Sequence, residues 1–130
     1  MILFTPEMAE AILAGRKTVT RRRWKKPRVK VGAIHQCYTR PAFARPPGKP
    51  FARVRIVDVT YEDKPFGICT YRGDGKMPRS SVMTEVGAEG FDSAWPLDEF
   101  CRVYKQINGE NALEEPCYRV EFELVQPGGE

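Results

Sequence analysis

The sequence has little histidine and no cysteine motif, and this excludes several kinds of site. Its 130 residues contain one histidine, His35, and four cysteines at the widely spaced positions 37, 69, 101 and 117. Zinc sites use sets of His, Cys and carboxylate ligands at characteristic spacings, which are missing here. No GxxxxGK phosphate loop and no GxSxG elbow occurs either. We therefore expect no metal or other cofactor, and any nucleophile or base has to be Lys, Thr, Ser, Tyr or a carboxylate.

Long apolar runs are also missing. No stretch approaches the roughly 20 residues of a membrane span, and the N-terminus has no secretory pattern. Scattered cysteines without the density of a disulfide scaffold are typical of free thiols in a reducing cytoplasm. With 42% hydrophobic and 29% charged residues, the composition is that of a globular protein. We expect one cytoplasmic, monomeric domain over residues 1–130, without a membrane partner.

Negative charge is missing from a long part of the chain. Between Ala11 and Val57 there is no Asp or Glu, whereas there are fourteen Lys or Arg residues. The rest of the chain holds seven basic and seventeen acidic residues. Such a split favours a positive face for a polyanion, or a funnel for an anionic or polar substrate. A solvated basic surface balanced by the acidic part explains it equally simply.

Periodicity and turn residues predict several short strands and two helices. Strands are predicted near 2–4, 18–24, 33–39, 51–61 and 118–124, with a weaker one at 66–71. The first helix spans 6–14, because Thr5 can cap it, Pro6 fits its first position and Gly15 can end it. The second is predicted at 92–107.

The segments between these elements carry turn chemistry. Four prolines and a glycine make 40–50 a loop, and 62–81 is rich in turn residues. Because helices do not alternate with strands, the order predicts an α+β domain. We expect a small closed or nearly closed β-barrel of five to six strands with two flanking helices.

The segment from Gly15 to Arg23 combines turn chemistry with reactive side chains. Lys17 and Thr20 lie three residues apart, and they can converge only if the chain turns between the helix and the strand. A lysine in a low-dielectric pocket loses its proton more easily, and it could then activate a threonine hydroxyl. The same spacing also describes a solvated lysine beside a strand threonine.

These residues resemble a known family. The string Leu13-Ala14-Gly15-Arg16-Lys17-Thr18-Val19-Thr20-Arg21-Arg22 is similar to the GxKxxTxR motif of the ASCH domain, a small β-barrel related to PUA RNA-binding domains. The block from Val86 to Phe91, followed by an amphipathic helix, is similar to the second block of that family. The resemblance implies a PUA-like fold over the chain.

The resemblance also implies an activity. Bacterial N4-acetylcytidine amidohydrolases of this family release cytidine and acetate, and their catalytic lysine and threonine match Lys17 and Thr20. Their catalytic glutamate matches Glu89 through the shorter second block. Glu89 could instead be a first-turn acid that stabilises the dipole of the following helix. On the hydrolase interpretation, Thr20 attacks the acyl carbonyl, Lys17 takes its proton, and Glu89 holds Lys17 or passes a proton to the leaving nitrogen.

The same interpretation assigns the substrate contacts. Arg21 and Arg23 are candidates to line the pocket, and Trp24 or Tyr38 could stack on the base. Burial in the barrel wall explains Trp24 equally well.

The alternative function is RNA binding by an ASCH module, with a possible ribonuclease or regulatory role. Its phosphate contacts would come from the basic stretch, namely Arg22, Arg23, Lys25, Lys26, Arg28 and Lys30. The sequence leaves open whether this stretch binds nucleic acid or only solubilises the protein, and whether a free nucleoside or RNA is the substrate.

Overall fold

The structure, a computed structural model, describes residues 1–65 and 79–127. Within these residues it contains five strands and three α-helices. In chain order they are β1 (Ile2–Leu3), α1 (Pro6–Leu13), β2 (Val19–Arg22), β3 (Ile34–Tyr38), β4 (Pro50–Glu62), α2 (Arg79–Ala88), α3 (Pro96–Asn108) and β5 (Cys117–Pro127). A short 3₁₀ turn, Ala112–Glu114, precedes β5.

The strands form one sheet in the order β1-β3-β4-β5-β2. Only the β1–β3 pair is parallel among these neighbours. The register of the long β4–β5 ladder shifts between Arg53 and Val54 and again between Ile56 and Asp58, and such irregularities increase strand twist. The sheet curls into a half barrel whose edge strands are β1 and β2. The predicted α+β class is confirmed, and within the described residues the sheet is open between those edges.

Most predicted elements occur near their expected positions. The first helix, the loop at 40–49 and the strands β3, β4 and β5 agree with the sequence patterns. The second predicted helix begins at Pro96, four residues later than expected, because proline fits the first helical turn. The weak strand predicted at 66–71 lies outside the described residues.

The helix α2 was not predicted, so the expected number of two helices is too low. Its sequence, RSSVMTEVGA, is rich in Ser, Thr, Val and Gly, which are poor helix formers. Among residues 82–88, whose burial the structure describes, the buried ones are Val82 and Val86, four residues apart. The helix therefore depends on packing against the rest of the domain rather than on local propensity.

Two groups of buried apolar side chains hold the domain together. One fills the concave side of the sheet and includes Phe4, Val54 and Phe122. The other joins α2 to α3 and includes Val86 and Phe100. Met8 of α1 packs against both groups. The space between the two groups is where the pocket described below opens.

Gly90 joins α2 to the rest of the domain in a way that only glycine allows. Its φ is +101°, and an added Cβ would lie 3.1 Å from the Cβ of Lys17 and 3.2 Å from that of Ala11.

We expect Gly90→Ala to lower the free energy of unfolding by about 1–3 kcal/mol, measured by urea denaturation. Gly87→Ala is the matched control, because it lies in α2 with open space around its Cβ position. The control should be neutral or raise stability by about 0.5–1 kcal/mol. Equal stability of the two variants would contradict this account.

Candidate functional site

The chain turns sharply just before β2, and this turn places Lys17 inside the domain. Gly15 lies two residues after the end of α1 and has a φ of +81°, a conformation that glycine adopts without strain. The backbone N–H groups of Arg16 and Lys17 then both donate to the carbonyl of Ala11, at 2.9 and 3.1 Å. As a result, the Lys17 side chain points inward and is only 3% exposed.

The Lys17 amine is held by three acceptors. Nζ donates to the carbonyl oxygen of Val19 at 2.7 Å, to the carbonyl oxygen of Glu89 at 2.8 Å and to Oε1 of Glu89 at 3.0 Å. Three contacts use all the hydrogens of an ammonium group. Burial lowers the pKa of Lys17 from its ordinary 10.5, although Glu89 opposes this effect. Lys17 can therefore lose a proton more readily than a surface lysine.

Glu89 lies directly after the last residue of α2 and is 3% exposed. Its backbone forms an isolated β-bridge with Lys17, which brings the two distant chain segments side by side. The interpretation of Glu89 as a first-turn acid is wrong, because the residue follows the C-terminus of one helix and precedes α3 by several residues. A carboxylate at a helix C-terminus opposes the helix dipole. The buried carboxylate of Glu89 is therefore stabilised by the two cations that bind it, Lys17 and Arg21.

Thr20 and Arg22 occupy the pocket-facing side of β2. Residues two apart in a strand point to the same face, and here the Arg22 Nε donates to the Thr20 Oγ1 at 3.2 Å. The Arg22 Nη2 donates to the carbonyl of Leu3 at 2.7 Å, and the guanidinium carbon lies 4.8 Å from the centre of the Phe4 ring. Burial lowers the pKa of Arg22. The Thr20 hydroxyl oxygen therefore already accepts one hydrogen bond from a cation.

Lys17, Thr20, Arg22 and Glu89 all line one pocket with a volume of approximately 490 Å³. Its other walls are mainly aromatic and aliphatic. They come from β1 and α1 on one side and from α3 with the segment before it on the other. The apolar members are Leu3, Phe4, Pro6, Met8, Phe91, Phe100, Val103, Tyr104 and Ile107. The site is thus a largely apolar pocket whose charged lining residues are Lys17, Arg22 and Glu89.

Arg21 points to the opposite side of β2, where it meets three carboxylates. Its Nη1 donates to Glu89 Oε2 at 2.9 Å, its Nε to Glu62 Oε1 at 2.8 Å and its Nη2 to Glu85 Oε1 at 2.7 Å. The Arg21 side chain has no exposed surface. Glu62 and Glu85 raise the pKa of Arg21 together with Glu89, despite its burial. Glu89 is consequently shared between Lys17 on the pocket side and Arg21 behind it.

The other residues predicted to contact substrate have different surroundings. Arg23 donates to the carbonyl of Asn108, which lines the pocket, at 3.0 Å and pairs with Glu115. Trp24 is half-buried and packs against the sheet core, as the wall interpretation expected. The Tyr38 side chain is buried, and its hydroxyl donates to Gln36 at 3.1 Å. Lys17, Thr20 and Glu89 thus line the same pocket, whereas the four predicted substrate contacts are not among its lining residues, namely Arg21, Arg23, Trp24 and Tyr38.

The basic stretch is exposed only in part. Phosphate contacts were predicted from Arg22 onward, but Arg22 lines the pocket, and the preceding Arg21 is enclosed by carboxylates. The predicted phosphate role of Arg22 therefore has to be set aside in favour of a place in the pocket. The remaining basic residues of the stretch are exposed, namely Arg23, Lys25, Lys26, Arg28 and Lys30.

Sequence reasoning missed the pocket role of Arg22 and the carboxylates behind it. Two signals for Arg22 were available: it is the final arginine of the GxKxxTxR motif, and it lies two residues after Thr20 in a strand. Glu62 and Glu85 gave no such signal, because their meeting with Arg21 depends on how β4 and α2 pack. The apolar wall from α3 was predicted as a core stripe only.

Metal binding and membrane insertion find no support in the described residues. Within residues 1–65 and 79–127, no group of three or more His, Cys, Asp or Glu side chains is arranged to hold a metal ion. Over the same residues, every helix is too short or too polar to cross a bilayer.

The fold is similar to those of solved ASCH domains. The Zymomonas mobilis ASCH structure superimposes with a TM-score of 0.53 at 19% identity, over 98% of this chain and 71% of that one. The ASCH domain of Lactobacillus crispatus JV V101 gives 0.51 at 16%, over 92% and 70%. Protein EF3133 of Enterococcus faecalis V583, assigned to DUF984, gives 0.59 at 16%, over 97% and 80%. At these identities the likeness shows that the chain has the ASCH fold. No family model and no curated protein matches the sequence.

The lowered pKa of Lys17 has a measurable effect on stability. The folded protein binds this proton less tightly than the unfolded chain, whose lysine pKa is about 10.5. The contribution of Lys17 to the free energy of unfolding therefore rises with pH from the folded pKa up to that value. We expect the stability of the unaltered protein, relative to Lys17→Met, to increase across this alkaline range in urea titrations. Taking the difference cancels the titration of buried thiols and tyrosines. A difference that stays flat or falls would contradict the lowered pKa.

Proposed function

We propose that the protein hydrolyses the N4-acyl amide of an acylated cytidine, converting N4-acetylcytidine to cytidine and acetate. Thr20 is the nucleophile, Lys17 the general base, and Glu89 the carboxylate that holds Lys17. One observation supports this most strongly: a buried lysine–carboxylate pair lines a largely apolar pocket that Thr20 also lines. The ASCH fold and the match of these three residues to the family's motif add to it.

The pocket suits a nucleoside in size and chemistry. A volume of approximately 490 Å³ falls in the usual range of small-molecule sites, about 300–1,000 Å³. The rings of Phe4, Phe91 and Tyr104 line it and offer flat apolar surface for a pyrimidine. These side chains replace Trp24 and Tyr38 as our candidates for contact with the base. We propose a free nucleoside as the small-molecule partner of this pocket.

The first chemical step is acyl transfer to Thr20. The hydroxyl oxygen attacks the acyl carbonyl carbon while neutral Lys17 accepts the hydroxyl proton. Collapse of the tetrahedral intermediate breaks the bond to N4, and the proton on Lys17 passes to the departing nitrogen. Conjugation of this nitrogen with the pyrimidine ring makes it a better leaving group than an alkyl amine. The products of the step are cytidine and an acyl ester on Thr20.

The second step removes the acyl group. Water attacks the ester carbonyl, Lys17 accepts a proton from that water, and Thr20 leaves with the proton that restores its hydroxyl. Arg22 donates to Oγ1 of Thr20, so it can stabilise the negative charge on that oxygen as Thr20 leaves in this step. Glu89 contributes as a fixed carboxylate, since both of its oxygens accept hydrogen bonds from cations. This geometry favours a holding role for Glu89 over proton transfer to the leaving nitrogen.

Substitutions at the three positions test the hydrolase directly. We expect Thr20→Ser to keep partial activity because a hydroxyl remains, and Thr20→Val to lose nearly all of it. Lys17→Met and Lys17→Arg should both lower kcat/KM by about 10²–10⁴-fold, because neither side chain can take up a proton near neutral pH. Glu89→Gln should lose most activity because Lys17 loses its carboxylate partner. The assay follows the change in absorbance as N4-acetylcytidine becomes cytidine.

Thr18→Val is the control for these variants. Thr18 is exposed and lies in the same segment, but its side chain has no part in the pocket. It should keep the parental rate, and circular dichroism should show that all variants are folded. Parental activity in Lys17→Arg would remove lysine as the base, and absence of activity in the unaltered protein would reject the hydrolase.

RNA binding is a second candidate, supported by a different part of the molecule. Arg23, Lys25, Lys26, Arg28 and Lys30 are exposed within eight consecutive positions. Such a cluster can neutralise several phosphates, and the affinity then falls steeply as salt rises. Arg22 takes no part in this interpretation, because its guanidinium is engaged in the pocket.

Charge reversal tests this second candidate. We expect the triple variant Lys25→Glu, Lys26→Glu, Arg28→Glu to lose most of its affinity for a single-stranded RNA, measured by fluorescence anisotropy at several salt concentrations. Hydrolysis of the free nucleoside should be unchanged in the same variant, because these residues lie outside the pocket lining. Unaltered RNA affinity would show that the stretch only solubilises the protein.

A further inference from the structure

Arg21 is a buried cation that the reaction proposed above does not use. It projects from β2 away from the pocket, yet it contacts Glu89, the carboxylate that holds Lys17. Resting on the proposed function, we propose that Arg21 is a positioning residue for the hydrolysis: it holds the second oxygen of Glu89, and so fixes the first oxygen on Lys17 and draws part of the carboxylate's charge away from that amine.

The geometry divides Glu89 between two cations. Oε1 accepts from Lys17 Nζ at 3.0 Å, and Oε2 accepts from Arg21 Nη1 at 2.9 Å. Glu89 and Lys17 are each 3% exposed and the Arg21 side chain is fully enclosed, so water screens these charges little. Rotation of the carboxylate toward one cation would break its bond to the other. Arg21, which lies outside the pocket, therefore helps to fix the position of the Lys17 amine through Glu89.

Arg21 is itself held in place by the two other carboxylates. Its Nε and Nη2 donate to Glu62 of β4 at 2.8 and 3.2 Å, and Nη2 also donates to Glu85 of α2. Arg119 lies directly opposite Arg21 on β5, and Glu85 bridges the two guanidiniums. Because Arg119 already binds both oxygens of Glu85, α2 has an anchor to the sheet that does not involve Arg21.

Arg21 is one of several charges that act on the pKa of Lys17. Glu89 raises the pKa of Lys17, whereas Arg21 and Arg22 lower it, and burial lowers it most. Among the described residues, the charged and titratable groups that face Arg21 include Glu62 from β4, Glu85 from α2, Glu89, and Cys117 and Arg119 from β5. Loss of Arg21 would leave the charge of Glu89 to act on Lys17 alone. The lysine would then keep its proton to a higher pH.

Two variants of Arg21 and one matched control test the proposal. The acid limb of the pH profile of kcat/KM should report the protonation of Lys17 in the free enzyme. We expect Arg21→Met to move its midpoint upward by about one pH unit or more, the usual effect of a nearby charge. Arg119→Met removes the other cation on Glu85 but none on Glu89, and it should leave the midpoint unchanged. A midpoint unmoved in Arg21→Met, or moved equally in Arg119→Met, would overturn the proposal.

A second measurement reads the lysine without any substrate. Titration of the ¹³Cε resonance of Lys17, identified by its loss in Lys17→Met, should show the same upward movement in Arg21→Met. If Arg21→Met does not fold, the titration is made on Arg21→Lys, which keeps one charge but cannot hold three carboxylates. A smaller upward movement there supports the proposal, and no movement overturns it. An unaltered protein that fails to hydrolyse N4-acetylcytidine rejects the proposed function, whereas the resonance still decides the effect of Arg21.

Discussion

The sharing of Glu89 between Lys17 and Arg21 is the interaction on which the site depends. Each of the three side chains is almost fully enclosed, and an isolated charge in such surroundings is very costly. Loss of one member of a buried pair typically costs about 3–5 kcal/mol, because the other charge is left uncompensated. The turn after α1, the strand β2 and the end of α2 must therefore all be in place together. Lys17 and Glu89 also line the pocket, so the pocket forms only when these segments are in place.

Strand β2 can meet this constraint because both of its faces are buried. Thr20 and Arg22 face the pocket, while Arg21 faces the carboxylates of β4 and α2. Two adjacent arginines in one strand are thus given opposite surroundings by the pleat alone. Arg21 also lies directly opposite Arg119, a pairing of like charges that would destabilise the sheet. Glu85 lies between them and makes the pairing possible.

The strong charge asymmetry of the sequence has a partly internal explanation. Acidic residues from the later part of the chain pair with basic residues from the acid-free part, as Glu62, Glu85 and Glu89 do with Arg21. Arg55 pairs similarly with Glu123. Such pairs reduce the number of cations available to an external polyanion. Arg23 is likewise paired with Glu115. The exposed residues Lys25, Lys26, Arg28 and Lys30 form the part of the basic stretch most open to such a partner.

The fold was largely predictable, because it follows from periodicities that the sequence carries locally. The alternation in β5 and the capped, glycine-ended α1 are examples. The helix α2 was not predictable in this way, since its residues are poor helix formers and its stability comes from packing. For the candidate site, the turn before β2 allowed Lys17 and Thr20 to converge but left a solvated lysine open, and the family resemblance selected these two residues together with Glu89. The role of Arg21 required the spatial meeting of β2, β4 and α2, which no local pattern encodes.

The burial of Lys17 distinguishes the two proposed functions. A lysine that neutralises phosphate works best fully charged and accessible, as the exposed residues of the basic stretch are. Lys17 is instead enclosed, its pKa is lowered, and its amine is fixed by three acceptors. Burial and the lowered pKa weaken a phosphate contact but suit a general base, as the hydrolase proposal requires. The neighbouring Arg22, also desolvated, donates to the Thr20 hydroxyl rather than to solvent. On the hydrolase proposal, the buried Lys17 serves chemistry in the pocket, and any RNA contact falls to the exposed residues outside it.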